Sequence, residues 1–334
     1  MSFTPVQGLL RRSLCITLAV LGLSAAVPAA AQPATEPLTV LLPAPPNSPA
    51  FAPWMIAVAK GYFAQEGLKL EFVTGKGGVD VAKQLGAGNA LIGGGIGDTP
   101  IIVRANGVPV KAVAVLGGGS VTMISVHDDS PVKTVKDLKG RTVTVMSYAD
   151  TTYYSLLGSL NKADLAKTDV NAQAAGPAGV WQLFVAKKAD AMAGVPDWVV
   201  DARGAGAKVR LLPASENFGS MAQAILASDD TIKNKPELVQ KVVRATLKGL
   251  AEIMKDPKAA AATYCQQMPA HKGREAYIEE VFALYREHVY PGQKVPGAID
   301  PARMASVQKF YVSEGIVAKA TPLDELYTNQ FVGH

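Results

Sequence analysis

The chain has 334 residues, 49% of them hydrophobic, and a formal net charge of +5 at pH 7. Without residues 1–31 the net charge falls to +3, because Arg11 and Arg12 are the only charged residues there. So small and evenly spread an excess gives no indication of nucleic-acid binding. Beyond that segment only Cys265 remains, so no disulfide within the chain is expected and the fold must rest on its core.

The first 31 residues have the pattern of an export signal. Arg11 and Arg12 precede an apolar run from Leu14 to Val27, and small residues then lead to a cleavage site near Ala31. The paired arginines would also suit the twin-arginine route, but the following residues match it only partly, which favours general secretion. Cys15 lies inside the apolar run, which argues against a lipoprotein anchor. We therefore expect a periplasmic protein.

After the signal, strand and helix patterns alternate. The first strand is predicted at Leu38–Leu42, and the proline-rich loop Pro43–Pro49 ends it. A helix with an apolar stripe follows, and most of this stripe should be core. Trp54 lies in its first turn, where a cleft would open, and is a candidate ligand contact. A second strand at Leu68–Val73 then leads into the glycine loop Gly75–Gly78 and another helix.

A glycine-rich stretch is the predicted centre of the first half. We place a short strand at Leu91–Ile92, a loop at Gly93–Gly97 and a helix at Pro100–Ala105. Asp98 is then the N-cap and Thr99 lies in the first turn, so backbone N–H groups and the positive helix end point at one place. That place could hold a small polar or anionic ligand. The alternative is an ordinary connection between a strand and a helix.

The β-α-β alternation predicts two α/β lobes, each with a mostly parallel sheet, around a ligand cleft. The strand pattern Val110–Leu116 is interrupted by Gly117–Ser120, which we interpret as the first crossing between lobes. The irregular stretch Pro213–Ser220 should be the second crossing. Lobe one is thus expected to contain residues 32–119 and 221–334, and lobe two residues 120–220. Two lobes joined in this way form a hinged protein with a cleft between the lobes.

In lobe two, the strand Thr142–Val145 leads through a loop to a helix at Thr151–Lys162. A strand at Met221–Ala227 then returns to the first sheet, and the remaining chain is mostly helical. Asp256 and Asp300 each precede a proline, which is the pattern of an N-cap acid followed by proline at the first helical position.

Four segments, in this order, resemble one family. They resemble motifs of the solute-binding proteins of ABC importers, in the nitrate/sulfonate/taurine and thiamine-pyrimidine (NMT1-like) branch, and they span nearly the whole chain beyond the signal. The segments are Lys60–Glu71, Gly97–Pro100, Val135–Val143 and Leu323–Asn329.

The resemblance implies a type II periplasmic-binding-protein fold, with two α/β lobes joined by two crossing segments. It also implies a monomer that binds a small molecule and delivers it to an ABC-type membrane permease with a cytoplasmic ATPase. Carried over motif by motif, it gives these ligand-binding candidates: Pro46, Asn47, Trp54, Gly77, Gly78, Asp98, Thr99, Ser147, Tyr148, Thr151, Thr152, Asp197 and Trp198.

The loop in lobe two is the better candidate for an anion. Ser147, Thr151 and Thr152 supply hydroxyls beside a helix start, and Tyr148 offers a flat wall. Each of these residues could instead be a simple cap or a core aromatic, and Asp197 could be an N-cap.

Two ligand classes stay open at this point. The family likeness favours a sulfonate, taurine or nitrate anion, while the aromatic residues of the chain could enclose a pyrimidine or an aromatic acid. We expect no catalytic residues, metal or cofactor, since His-Glu-x-x-His, Gly-x-Ser-x-Gly and P-loop patterns are absent from the sequence. The rival class, an enzyme similar to thiamine-pyrimidine synthases, would need a cysteine-rich motif. A domain that presents ligand to a sensor is a third class.

Overall fold

The structure is a computed structural model that describes residues 35–333, which form one compact unit. The predicted signal segment lies outside the described residues. Ten strands form two five-stranded sheets in this part of the chain. The strands are β1 Glu36–Leu42, β2 Leu68–Thr74, β3 Ile92–Ile96, β4 Val110–Val115, β5 Met123–His127, β6 Thr142–Val145, β7 Asn171–Ala174, β8 Ala191–Gly194, β9 Val209–Leu211 and β10 Gln223–Ser228.

Helices cover both sheets. They are α1 Ala52–Ala59, α2 Tyr62–Gln65, α3 Gly78–Gly86, α4 Thr99–Arg104, α5 Thr151–Lys162, α6 Gly176–Val185, α7 Pro196–Gly204, α8 Asp229–Asn234, α9 Pro236–Lys255, α10 Pro257–Gln267, α11 Glu275–Leu284, α12 Pro301–Ser313 and α13 Leu323–Leu326. A single π-helical turn, Tyr285–Val289, extends α11. Within residues 35–333 no helix combines the length and the apolar character that crossing a membrane requires.

The first sheet has the strand order β2-β1-β3-β10-β4, and the second has the order β7-β6-β8-β5-β9. In the first sheet β10 runs antiparallel to both of its neighbours, and in the second β5 does the same. The chain therefore builds four strands of the first sheet, passes to the second, and returns to insert β10 between β3 and β4. This is the two-lobed α/β architecture that the sequence predicts. We call the parts around the two sheets lobe one and lobe two; their boundaries stay a prediction.

The glycine run after Ile92 is strand and not loop, which corrects the prediction. Gly93, Gly94 and Gly95 lie inside β3 and pair with β10. A methyl group on Gly93 would lie 2.5 Å from Val81 of α3, and one on Gly95 would lie 2.6 Å from Leu226. The glycines therefore serve close packing of α3 and β10 against β3, and only Gly97 and Asp98 remain to form the connection.

Hydrogen bonds join the two crossings to each other and to lobe one. The hydroxyls of Ser120 and Ser220 lie 2.5 Å apart, and the Arg303 side chain donates to the carbonyls of Gly219 and Ser220. Gly119 is packed so closely that a methyl group there would lie 2.0 Å from the carbonyl oxygen of His288.

Candidate ligand-binding cleft

The loops that follow the strand ends of the two sheets face each other. In an open α/β sheet, ligands bind outside the carboxyl ends of the strands. Three connections of lobe one lie there, after β1, β2 and β3, and three of lobe two, after β6, β7 and β8. All the sequence candidates except Trp54 lie on these connections or in the first turn of the helix that follows.

Ser48 and Asp197 join the two lobes. The Ser48 hydroxyl, in the loop after β1, donates to Asp197 Oδ2 at 3.1 Å. Ser48 also caps the short helical turn Pro49–Phe51, where it accepts from the Ala50 N–H group. Ser48 was not among the candidates from the sequence. The only sequence signal for it was its position in the proline-rich loop, which does not distinguish it from its neighbours.

Asp197 is buried at this contact. It is the second residue of α7, whose N-cap position is Val195, so Asp197 is not the helix cap. Its Oδ1 atom has no hydrogen-bond partner among the described residues. Burial raises the pKa of the carboxyl to about 6, against the opposing effect of the Ser48 hydrogen bond.

Asp98 is the counterpart in lobe one. It occupies the N-cap position of α4, as predicted, but its side chain makes no cap hydrogen bond. Its Oδ2 atom instead accepts from the hydroxyl of Tyr311 on α12 at 2.7 Å, and its Oδ1 atom has no partner within the described part of the chain. Complete burial raises the pKa of this carboxyl to about 6, although the Tyr311 hydrogen bond lowers it.

Several candidates have contacts that hold the strand-end loops in place. The Asn47 carbonyl accepts from Tyr264 Oη and lies 2.7 Å from His271 Nε2, so its backbone is fixed while its side chain is exposed. Pro46 beside it is half-buried. The Thr99 hydroxyl accepts from Ile96 N–H at 3.2 Å.

Gly77 and Gly78 start α3. Gly77 has φ +90°, which only glycine adopts readily, and a methyl group on Gly78 would lie 3.2 Å from the Thr99 hydroxyl. The two glycines thus let the loop after β2 approach the loop after β3.

In the loop of lobe two, Asp150 was not a candidate and caps α5. Its Oδ1 atom accepts from the backbone N–H group of Thr152 at 2.9 Å and from the Thr152 hydroxyl at 2.7 Å. Ser147 Oγ accepts from the Ala149 N–H group at 3.3 Å. Thr151 is half-buried and its hydroxyl has no hydrogen bond in the described structure. Of the three predicted hydroxyls, that of Thr151 alone is thus left without a hydrogen bond inside the loop.

Aromatic side chains flank this loop. Tyr148 is 57% exposed, donates to the Ala172 carbonyl at 3.1 Å and stands edge-on to Tyr153. The ring of Tyr154 packs against Tyr311 of lobe one with ring centres 5.6 Å apart. Trp198 is half-buried and covers Gly194, where a methyl group would lie 3.0 Å from the indole.

Trp54 lies elsewhere, which corrects the prediction that it meets a ligand. It is 1% exposed, stacks on Phe63 at 6.3 Å and meets Phe72 edge-on. Trp54 is in the first turn of α1, as predicted, but this turn is buried on all sides, so the indole packs in the core of lobe one.

Comparisons with known proteins agree with this architecture. A model of the family described as "NMT1/THI5 like" matches residues 48–260, and the chain belongs to this family. It is 27% identical over 319 residues to the riboflavin-binding protein RibY of Chloroflexus aurantiacus, covering 90% of this chain and 88% of RibY.

Two solved structures show the fold. The periplasmic aliphatic sulphonate binding protein SsuA of Escherichia coli superposes with a TM-score of 0.70 at 20% identity, covering 89% of this chain and 94% of SsuA. A mutant of DszB, in complex with biphenyl-2-sulfinic acid, has a TM-score of 0.60 at 16% identity, covering 88% of this chain and 97% of DszB. DszB is a desulfurization enzyme, whereas RibY and SsuA are binding proteins. The fold of this chain is that of periplasmic binding proteins.

Proposed function

We propose that this protein is the extracytoplasmic solute-binding component of an ABC importer. It holds one small molecule between its two lobes and delivers it, as a monomer, to a membrane permease driven by a cytoplasmic ATPase. The observation that carries this proposal is the Ser48–Asp197 hydrogen bond, which joins strand-end loops of opposite lobes across the cleft. The likeness to RibY, a riboflavin-binding protein, supports binding over catalysis.

For the ligand, we favour a flat nitrogen-containing ring over a simple anion. The titratable groups at the cleft are the acids Asp98, Asp150 and Asp197, and an anion would be repelled by each of them when ionised. Arg303 lies near Asp98, but its guanidinium already donates to two crossing-segment carbonyls. The tyrosine rings beside α5 offer flat surfaces on which a ring can stack. The relative RibY is a riboflavin-binding protein, and riboflavin contains such a ring system.

An anion such as a sulfonate, taurine or nitrate is the second candidate. The unbonded hydroxyl of Thr151 at the start of α5 supports it, as does the shared fold with SsuA. However, the carboxylate of Asp150 already occupies the N-terminal N–H group of Thr152. An anion bound there would have to share the helix end with a carboxylate, which weakens the attraction of the helix dipole.

A thermal-shift screen of the mature chain separates the two classes. The probes are riboflavin, cytosine and uracil on one side, and ethanesulfonate, taurine and nitrate on the other. A ligand at about 100 times its Kd adds about 2.7 kcal/mol to the free energy of unfolding, so a specific ligand gives a clear shift. We expect a ring compound to stabilise the protein. Stabilisation by ethanesulfonate or nitrate alone would reverse the choice of ligand class.

A further inference from the structure

Three buried polar atoms without a partner in the described part of the chain lie where the start of β10 and the end of the π-helical turn approach α7. They are Asp197 Oδ1, Gln223 Oε1 and the hydroxyl of Tyr290. Their side chains are 7%, 7% and 4% exposed. An unpaired buried polar group costs about 1–3 kcal/mol, and native proteins keep few of them. Three at one place therefore call for a functional reason.

The side chain of Tyr285 holds this cluster together. Its hydroxyl accepts from Gln223 Nε2 at 3.1 Å, and its side chain lies close to the Asp197 carboxyl. The ring of Tyr285 stacks on that of Tyr290, with ring centres 5.2 Å apart and planes 25° apart. Both tyrosines come from the π-helical turn and the residue after it, a type of turn that is frequent at functional sites.

The cluster lies at the strand-end side of lobe one. Gln223 is the first residue of β10 and pairs with Ile96, which is the last residue of β3. Asp98 follows Ile96 by two residues, so Gln223 stands beside the connection that carries the buried acid of lobe one. Asp197 reaches the cluster from lobe two. The cluster therefore lies beside the strand-end loops that carry Ser48 and Asp98.

The chemistry of these atoms defines what they can accept. A carboxylate oxygen and an amide oxygen are acceptors only, and a hydroxyl can accept or donate. No described side chain supplies the missing donors. We infer that Asp197, Gln223 and Tyr290 form a subsite that takes the N–H donors of the ligand, such as an amino, amidine or ureide group. This inference rests on the proposed solute-binding function.

The test compares ligands that differ only in such donors. Riboflavin is paired with 3-methylriboflavin, which lacks one ring N–H, and taurine with ethanesulfonate, which lacks the amino group. Calorimetric titration of the mature chain is expected to show at least tenfold weaker binding of the blocked member of whichever pair binds. In Gln223→Met, which removes one acceptor oxygen of the subsite, the affinity for the parent should fall toward that of the blocked compound. Equal affinities within the binding pair would overturn the inference.

A second measurement compares the melting temperature of the free protein with its affinity for the parent compound. Tyr290→Phe removes a hydroxyl that has no partner, so the melting temperature of the free protein should not fall, while the parent compound binds more weakly. The control is Tyr62→Phe, far from the cleft, which removes a hydroxyl that donates to Glu252 at 2.7 Å. This control should lose stability and keep its affinity.

The two readouts separate the inference from the proposed function. A fall in the melting temperature of Tyr290→Phe as large as that of the control would mean that the hydroxyl already serves the fold, and would overturn the subsite. If neither parent compound binds the wild type, the proposed ligand classes fail, and with them the inference that rests on them. Binding of a parent with unchanged affinity in both Gln223→Met and Tyr290→Phe would overturn the subsite alone.

Discussion

The hydroxyl of Ser48 donates to the carboxylate of Asp197 at 3.1 Å, although the two residues belong to opposite lobes and are 149 positions apart in the chain. A hydrogen bond to a charged group contributes about 1.5–3 kcal/mol. Because this bond spans the cleft, it contributes only while the lobes are together. It therefore favours the closed state of the protein directly, and the affinity for a ligand indirectly.

Ser48→Ala should weaken ligand binding by about tenfold or more, since about 1.4 kcal/mol corresponds to a factor of ten. If the free protein is open, as the proposed function requires, it lacks this bond, and its melting temperature should change less than the affinity does. Titration calorimetry beside thermal denaturation measures both effects. Wild-type affinity in this variant would mean that the contact plays no part in closure.

Trp54→Ala should destabilise the protein by about 3–5 kcal/mol, as is typical for a large buried aromatic residue. The affinity of the folded fraction should stay close to that of the wild type, because the indole packs on Phe63 and Phe72 in the core. Trp198→Ala is the matched control in lobe two, with a half-buried indole at the cleft. For Trp198→Ala we expect a smaller loss of stability and a larger loss of affinity. Chemical denaturation measures the first and titration calorimetry the second. A loss of affinity in Trp54→Ala without a loss of stability would mean that Trp54 contacts the ligand.

The hydroxyls of Thr151 and Thr152 should respond differently to removal. Thr152→Val breaks the hydrogen bond to the cap residue Asp150 and should cost roughly 1 kcal/mol of stability with little effect on affinity. Thr151→Val breaks no hydrogen bond in the free protein, so stability should hold. If the Thr151 hydroxyl hydrogen-bonds to the ligand, the affinity of Thr151→Val falls about five- to hundred-fold. Unchanged affinity in Thr151→Val would remove it from the set of ligand contacts.

The stability of the protein should depend on pH through Asp98. Burial holds the pKa of its carboxyl at about 6 in the folded state, above the ordinary value of 3.8. The folded protein therefore binds this proton more tightly than the unfolded chain does. The resulting stabilisation is complete below pH 3.8 and is lost as the pH rises through about 6.

Asp98→Asn cannot ionise and lacks this contribution. Relative to the wild type, its free energy of unfolding should therefore rise by up to about 3 kcal/mol between about pH 4 and pH 8. Asp197 has a raised pKa of similar size, but it is present in both proteins and cancels in the difference. Denaturant titrations at several pH values give the comparison. Parallel curves for the two proteins would show that Asp98 is solvated in the folded state.

Local patterns predicted the fold well where neighbours in the sequence decide the structure. Asp256 and Asp300 cap α10 and α12 as predicted, because a side-chain acceptor followed by proline is a local signal. The glycines of β3 were misplaced because their reason is distant: they make room for Val81 and Leu226.

The candidate site shows the same limit. The strand-end loops carry most of the predicted residues, but Tyr311, the partner of Asp98, lies on a C-terminal helix that had only a packing pattern. Tyr311 meets Asp98 across 213 positions of the chain, and no local pattern reports a contact of that kind. For Trp54, the deciding contacts are with Phe63 and Phe72, which the position of Trp54 in the first turn of a helix does not reveal.

The central claim is that one ligand binds between the lobes and brings them together. Small-angle X-ray scattering of the mature protein, without ligand and with a saturating stabilising compound from the thermal-shift screen, tests it most directly. We predict a smaller radius of gyration with ligand, and a smaller decrease in Ser48→Ala at the same ligand concentration. A radius of gyration that stays unchanged at saturation would contradict a receptor that closes around its ligand.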